Sequence, residues 1–585
     1  MFHLGLSNKN RIVLNVASVF LLTSLPLLQG IAHSADTPHL AFSDITSGPS
    51  SGNTDPYGGG AIVTVWGENL GSSQGSSTIT CGGVPANHVY YWGNADGKSN
   101  GQHADLYTRL QMQEISFSVG GGADSSGIVV TVNGVGSNTL PFTVRSGTIH
   151  FIKTTGTDSG SGTWSAPWQH IPYCDSHMAA GDITYACDGV ATTTQDADGS
   201  GFEVNTAGTE ASPKALIAYP GATVTITYGG SHGAIFFYYG DGNDCRWWVI
   251  SKMYVNSTAS QGIQASNFSY VGLDYAGLRI IGNRGYSPNC GMSDVGYFDF
   301  HIGGKLWIYG NELDTISNTV GSKLHHPLYL SDIRNGSVWS HSYGYYVGWN
   351  YIHDCASVDA INVYQESSPF GVMHDIYIHD NWLENDYGRS IMSRASQGDL
   401  FIYNNVVYNC GLNGASFETY LDIDTSYGGV PNPNTNVRVY NNTFYHPSTT
   451  ESTAVSFVGT YEFKDNIIVP YSGKPYYSGA TPTGGSGNYK NCFYGGSGSP
   501  PSWDTGKITS DPLFTNASAG DLSLKGDSPC RDAGLNTSSL VTQDIVGVLR
   551  PQGAAVDVGA FEYTDDGGGI KPPAAPTGLV IIQQQ

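Results

Sequence analysis

Four stretches of the chain set His, Asp and Arg beside strand-like apolar alternation: HHPLYLSD (325–332), VDAINVYQE (358–366), GRSIMSRAS (388–396) and ASFETYLDID (415–424). Laid in register, Leu328, Ile361, Ile391 and Phe417 read as inward, with Leu330 and Val363. One outward column is then Tyr329, Asn362, Met392 and Glu418, and the next is Ser331, Tyr364, Arg394 and Tyr420. Just ahead of the strands lies a third column: His326, Asp359 and Arg389. On adjacent strands these residues stand roughly 5 Å apart. Asp359 reads as an acid/base group, His326 as its proton-transfer partner and Arg389 as a stabiliser of negative charge, with Arg394 and Glu418 beside them. Tyr329, Asn362, Tyr364, Tyr420 and Glu366 supply ring faces and polar groups of the kind that hold a sugar. The bland alternative is a surface ion pair, worth about 0–1 kcal/mol.

Two chemistries compete for such a site. A hydrolase needs carboxyl groups about 5–5.5 Å apart for retention, or about 6.5–9.5 Å for inversion. Asp359 and Glu418 lie two strands apart, roughly 9.6 Å, and Asp332, Asp422, Asp424 and Glu366 are further partners. A lyase needs a base and a cation facing a uronate carboxylate. Lys323, His325, His326, Arg334, Arg389 and Arg394 gather positive charge in one segment of an acidic chain. The pattern fits both. Metal signals are weak: DADG (196–199) and DGND (241–244) lack the spacing and terminal Glu of a calcium loop, so no metal ligand is assigned.

These strands need a scaffold, and the sequence repeats one. An apolar–any–apolar–any unit ending in Gly, Asn, Asp or Trp and then Asn recurs as LRIIGN, LWIYGN, YYVGWN, IYIHDN, LFIYNN, VRVYNN and YEFKDN, with the final Asn at 283, 311, 350, 381, 405, 442 and 466. Spacings of 28, 39, 31, 24, 37 and 24 residues fall in the range of solenoid repeats. Period two governs each unit, so the coils are strands. Asn tolerates a left-handed φ, and its amide can bond the same group one coil away. The prediction is an all-β chain: a right-handed parallel β-helix solenoid preceded by an Ig-like β-sandwich.

Composition agrees. In 585 residues there are 77 Gly and 37 Tyr but only 12% charged residues, which excludes coiled coils and long solvated helices. A net charge of −23 argues against nucleic acid as a partner. Upstream, GGGAIVTVWGENLG (58–71) alternates as a strand, and GIVVTVNGVGSNTLPFTV (127–144) reads as a hairpin turning at Asn133-Gly134.

On those two stretches, residues 36–146 resemble an IPT/TIG immunoglobulin-like domain, which implies a spacer or binding module. SPKALIAYPGATVTI (212–226) resembles the opening coils of secreted β-helix proteins of the pectate-lyase-like superfamily. DPLFTNASAGDLSLKGDSPCRDAG and RPQGAAVDVGAFEY resemble the choice-of-anchor Q terminus of that group. The resemblance implies a β-helix over 147–505 and a cap over 506–563. In β-helix lyases Arg, Lys or His commonly act as base, often with calcium. Residues 564–585 read as a Gly/Pro linker tail.

Lys9 and Arg11, the apolar run Ile12 to Leu28 and the small residues Ala32, Ser34 and Ala35 read as a signal peptide over 1–35. No later run is long enough to span a bilayer, so a secreted or cell-surface protein is expected. Of nine cysteines, Cys174 and Cys187 are the expected disulfide and Cys81 the expected unpaired thiol. Cys355 and Cys410 each follow an Asn corner by five residues but lie two coils apart, too far to bond. The expected function is cleavage of an extracellular polysaccharide on the β-helix face. A non-catalytic glycan-binding or adhesin role and a glycan epimerase are the alternatives.

Overall fold

The repeated units pair in parallel, coil upon coil, into three long sheets of 11, 11 and 10 strands. A computed structural model describes residues 37–565 apart from 98, 193–199, 228–231, 239–242, 258–260, 267–275, 288–295, 303, 317–325, 332–340, 366–371, 395–397, 413–418, 425, 428–429, 432–435, 447–452, 480 and 538. The first sheet runs from Ile149–Ile152 to Tyr461–Lys464, the second from Ala191–Thr192 to Cys492–Phe493, and the third from Phe202–Val204 to Tyr477–Gly479. Register follows the pattern. Leu306 and Ile308 lie beside Leu278 and Ile280 of the preceding coil and Tyr345 and Val347 of the next. All six are buried in one continuous core. This is the right-handed parallel β-helix.

The recurrent Asn residues form a ladder between the first and second sheets. Each side-chain Nδ2 donates to the Oδ1 of the next Asn at 2.9–3.1 Å, from Asn283 through Asn311, Asn350, Asn381, Asn405, Asn442 and Asn466 to Asn491. The backbone N–H of each donates to the same oxygen. Asn491 ends the run on Asp504 Oδ2, 2.9 Å away. An unsatisfied buried amide costs about 1–3 kcal/mol, so the ladder makes a sharp corner compatible with burial. The left-handed φ belongs not to the ladder Asn but to the residue before it: Gly282, Gly310, Trp349, Asp380, Asn404, Asn441 and Asp465 have φ between +52° and +68°.

The N-terminal Ig-like β-sandwich has a four-stranded antiparallel sheet (His39–Ser43, Ile62–Glu68, Gln113–Ser118, His88–Asn94) and a second of Val84–Pro85, Thr78–Cys81, Ile128–Val132 and Val135–Gly136. Asn133 and Gly134 take φ of +50° and +82° at the hairpin turn, as a primed turn demands. Ile62–Glu68 is buried at every position, because one face fills the sandwich core and the other meets the solenoid. There Lys252 Nζ donates to Thr64 Oγ1 (2.9 Å) and the Tyr185 hydroxyl to the Ile62 carbonyl (2.8 Å). Arg109 grips Glu384 through Nε (2.7 Å) and Nη2 (2.5 Å).

The C-terminal segment lies against the second sheet, with Val558 and Phe561 packed among Trp382, Val406 and Ile467. Gly559 is required at its closest approach: a Cβ there would stand 2.6 Å from Ile467 Cδ1, and φ is +98°. Among the described residues, no helix is long and apolar enough to cross a membrane.

The expected Cys174–Cys187 disulfide is overturned, since both are free thiols. Cys174 sits in the helix Ile171–His177 with its side chain in the solenoid core, whereas Cys187 follows Ile183–Ala186 on the outward side against the sandwich. Ala186, the residue before Cys187, faces the solenoid core, and neighbouring residues of a strand face opposite ways, so Cys187 points away from Cys174. Cys81, Cys355 and Cys410 are also free and buried.

Candidate functional site

The third sheet carries the ionisable columns. Its strands Leu328–Ser331, Asp359–Tyr364 and Arg389–Arg394 pair so that Tyr329, Asn362 and Met392 align, as do Ser331, Tyr364 and Arg394. Asp359 aligns with Arg389. Beyond Arg389 the next strand is Leu421–Asp424, and it is Leu421 that pairs with Ile391. Asp422 therefore stands beside Met392 and Asp424 beside Arg394.

This corrects the fourth coil. The strand begins four residues later than the alternation implied, and Tyr420 falls in the bend before it. Its ring turns into the core, fully buried and stacked on Phe444 at 6.1 Å. Tyr420 is not on the outer face. Glu418 and Glu366 lie outside the described residues, as do Lys323, His325, Asp332 and Arg334.

The third column forms a connected network. Arg389 clamps Asp359, with Nε on Oδ1 and Nη2 3.2 Å from Oδ2. Asn362 Nδ2 donates to Asp359 Oδ2 at 2.7 Å, and His326 Nδ1 lies 3.3 Å from the same oxygen. The remaining Arg389 nitrogen, Nη1, donates to Asp422 Oδ2 at 2.7 Å, and Arg394 Nη2 reaches that oxygen at 3.2 Å. Burial would lower the Arg389 pKa, but Asp359 and Asp422 more than offset it and raise it.

Burial divides this group. Asp359, His326, Asn362, Arg389 and Tyr329 are buried. The Arg394 side chain is 43% exposed and Asp422 15%, and Tyr364 is 37% exposed. Tyr329 lies between two imidazoles, His326 at 5.5 Å and His301 at 5.3 Å. Asp359 accepts from Arg389 and Asn362 and touches His326, so its acceptor positions are occupied.

Sequence reasoning missed Asp299 and His301. Phe298–His301 is the strand preceding Leu328–Ser331, and Asp299 pairs with Tyr329. Asp299 is fully buried, with Oδ1 3.0 Å from His301 Nε2. The signal was present, since FDFH alternates like LYLS, but the stack was begun one coil too late.

One carboxylate–imidazole group among the described residues has metal-like geometry. Glu312, Asp314 and His353 bring ligand atoms within 4.8 Å of one another on the second sheet. Arg284 Nη2 stands 2.7 Å from Asp314. Burial lowers the His353 pKa, but hydrogen bonds to Asp354 and Glu312 outweigh this and raise it to about 9. A guanidinium and an imidazolium thus supply the positive charge. Glu312 also accepts the Asp105 N–H at 2.8 Å, so the group joins sandwich to solenoid. Of the calcium-loop fragments, 196–199 lies outside the described residues and Asp244 pairs with Arg246 at 2.7 Å.

No family model and no curated protein matches the sequence. Among solved structures the chain is similar to the pectate lyase Pel9A, at 14% identity over 71% of this chain and 96% of that one, with a TM-score of 0.34. It is also similar to the GH136 lacto-N-biosidase from Eubacterium ramulus, at 13% identity over 62% and 67% with a TM-score of 0.32. A third likeness is to XylC in complex with xylose, at 12% identity over 62% and 70% with a TM-score of 0.28. The strand pairing itself carries the fold.

Proposed function

We propose that the protein cleaves a polysaccharide at the outer face of the third sheet, by hydrolysis of a largely neutral glycan. The observation that carries this is the carboxyl pair Asp422 and Asp424, two residues apart on one strand and both partly exposed. Strand rise separates such a pair by about 6.6 Å, within the spacing of an inverting pair, about 6.5–9.5 Å. Asp422 accepts from two guanidiniums, which hold it in place, and is assigned the part of the base that activates water. Asp424, two residues further along the strand, is assigned the part of the acid that protonates the leaving oxygen. Tyr364 offers an exposed ring for a sugar face. Asp359, His326 and Asn362 act through Arg389, holding it against Asp422, and Tyr329 fills the space between the histidines.

Charge favours hydrolysis over elimination. On the described face Asp422, Asp424 and Arg394 are partly exposed, whereas Arg389 is buried with carboxylates on two sides. Among the described residues little cationic surface besides Arg394 is left for a uronate. The test is a panel of neutral and acidic polysaccharides, read by new reducing ends. Asp422→Asn and Asp424→Asn are each expected to lose about 10²-fold or more in rate. Full activity in both variants, or products bearing an absorbing double bond near ~230 nm as elimination yields, would overturn the proposal.

A further inference from the structure

Eight cysteines are described, and six of them are scattered. Cys174, Cys245, Cys355 and Cys410 lie in the solenoid core, Cys81 in the sandwich and Cys187 at their junction. The other two share one small cluster. Cys492 opens the last strand of the second sheet, paired with Ile467, and Cys530 belongs to the C-terminal segment that packs over it. Both are fully buried free thiols, and the Cys530 thiol, together with burial, holds the Cys492 pKa well above the ordinary thiol value.

The surrounding chain fixes this meeting independently. Cys492 Sγ points to the Ser510 carbonyl at 3.6 Å. Two residues on, the Pro512 carbonyl accepts the Ser528 hydroxyl at 2.6 Å, and that hydroxyl in turn accepts the Cys530 N–H at 3.1 Å. On the other side the Cys530 carbonyl accepts from Val558, and the adjacent Gly559 donates to the Asp465 carbonyl. Thus three segments, 508–512, 528–530 and 556–559, converge where Cys492 and Cys530 lie.

We propose that Cys492 and Cys530 are the two halves of a disulfide that fastens the C-terminal segment to the last coil under oxidising conditions. The step is thiol–disulfide exchange. One cysteine thiolate attacks a sulfur of a small-molecule or protein disulfide, releasing one thiol, and the second cysteine displaces the other. The new Sγ–Sγ bond replaces the oxidant's, and two protons and two electrons leave on its two thiols.

The closed loop spans the antiparallel pair Phe514–Asn516 and Asp521–Leu524. The bond would restrict the unfolded chain more than the folded one. It needs no rearrangement of the solenoid, because the packing of the C-terminal segment already brings both cysteines into one buried cluster.

The full chain is made in an oxidising compartment, and a second sample is matured in reductant and then equilibrated with oxidised glutathione. Both are unfolded in iodoacetamide, digested and weighed. The expected result is one linked peptide pair containing Cys492 and Cys530, lighter by two hydrogens and separable by reductant. Reductant is also expected to lower the melting temperature of the oxidised protein by a few degrees and to leave that of Cys530→Ser unmoved. If both peptides carry the alkyl group or glutathione in both samples, or if Cys530 is linked to a different cysteine, the proposal is overturned.

Discussion

Asp386 offers the sharpest test of how this solenoid treats buried charge. It follows Asn381 by five residues, as Cys355 follows Asn350 and Cys410 follows Asn405, so its carboxyl lies in a column between two thiols. It is fully buried, and Ser357 Oγ is 3.5 Å from its Oδ1. Burial pushes its pKa from 3.8 up to about 8, a rise that hydrogen bonding to Cys355 and the charge of His353 only partly offset. Between these values the folded state holds a proton that the unfolded state has released, so stability falls as pH rises. The contribution is fully present below about pH 4 and is lost progressively up to about pH 8. At about 1.4 kcal/mol per unit, the loss from pH 5 to pH 8 is about 4 kcal/mol.

Asp386→Asn keeps the shape and removes the titration. Its stability relative to wild type is expected to improve by about 4 kcal/mol over that interval, or about 3–4 °C in melting temperature if the whole unit unfolds together. Asp44 (about 6) and Asp465, Asp544 and Glu562 (about 7) have raised pKa values of the same sign, since burial dominates each. Their effect is common to both proteins and cancels in the difference. Scanning calorimetry of both at pH 5, 6.5 and 8 reads it directly. A variant-minus-wild-type difference that stays constant across the three pH values would refute the reasoning.

Four other perturbations follow from the same contacts. Asn381→Ala removes the acceptor used by the Asn350 N–H and Nδ2 and the donor to Asn405, so a loss of about 2–4 kcal/mol is expected in chemical unfolding. Arg389→Ala leaves Asp359 buried without its cation and is expected to cost about 3–5 kcal/mol. Arg394→Ala, at a half-exposed position, should change stability by less than about 0.5 kcal/mol while lowering glycan cleavage, a contrast read by paired melting and activity assays. Arg109→Ala breaks the bidentate pair with Glu384 across the seam, and limited proteolysis is expected to cut between the sandwich and the first coil sooner than in wild type.

The architecture was legible because a solenoid writes its geometry as repetition. Seven Asn positions predicted seven rungs of the ladder, and Asn491 and Asp504 extend it where the apolar unit loses its pattern. Asn133-Gly134 was legible because only a few residue pairs tolerate two positive φ values in a tight turn. The fourth coil was not legible: Phe417, Thr419, Leu421 and Ile423 give the same alternation whether the strand starts at 417 or 421. Period-two patterning fixes which way a side chain faces but not which neighbour it meets. Hydrogen bonding to the adjacent strand decides that, and it exchanged Glu418 for Asp422. The docking of the sandwich was equally hidden, since Arg109, Glu384, Lys252 and Thr64 are unremarkable singly and meaningful only once opposed.

The ionisable column therefore divides by saturation. Asp359 looked like the catalytic acid from its position between His326 and Arg389, and that same position occupies its acceptors: two Arg389 nitrogens and Asn362 leave a buried carboxylate no opening toward a substrate. Asp422 is bound on one oxygen by Arg389 and Arg394 and retains contact with solvent. A group that must exchange protons with a substrate needs that opening; a group that must hold an arginine still does not. Many of the 25 Lys and Arg residues serve inside: Arg389, Arg109, Arg284, Lys252 and Arg550 each hold a carboxylate or a polar seam. Cations used as internal ties are subtracted from the surface, which is the charge argument behind the proposed preference for a neutral glycan.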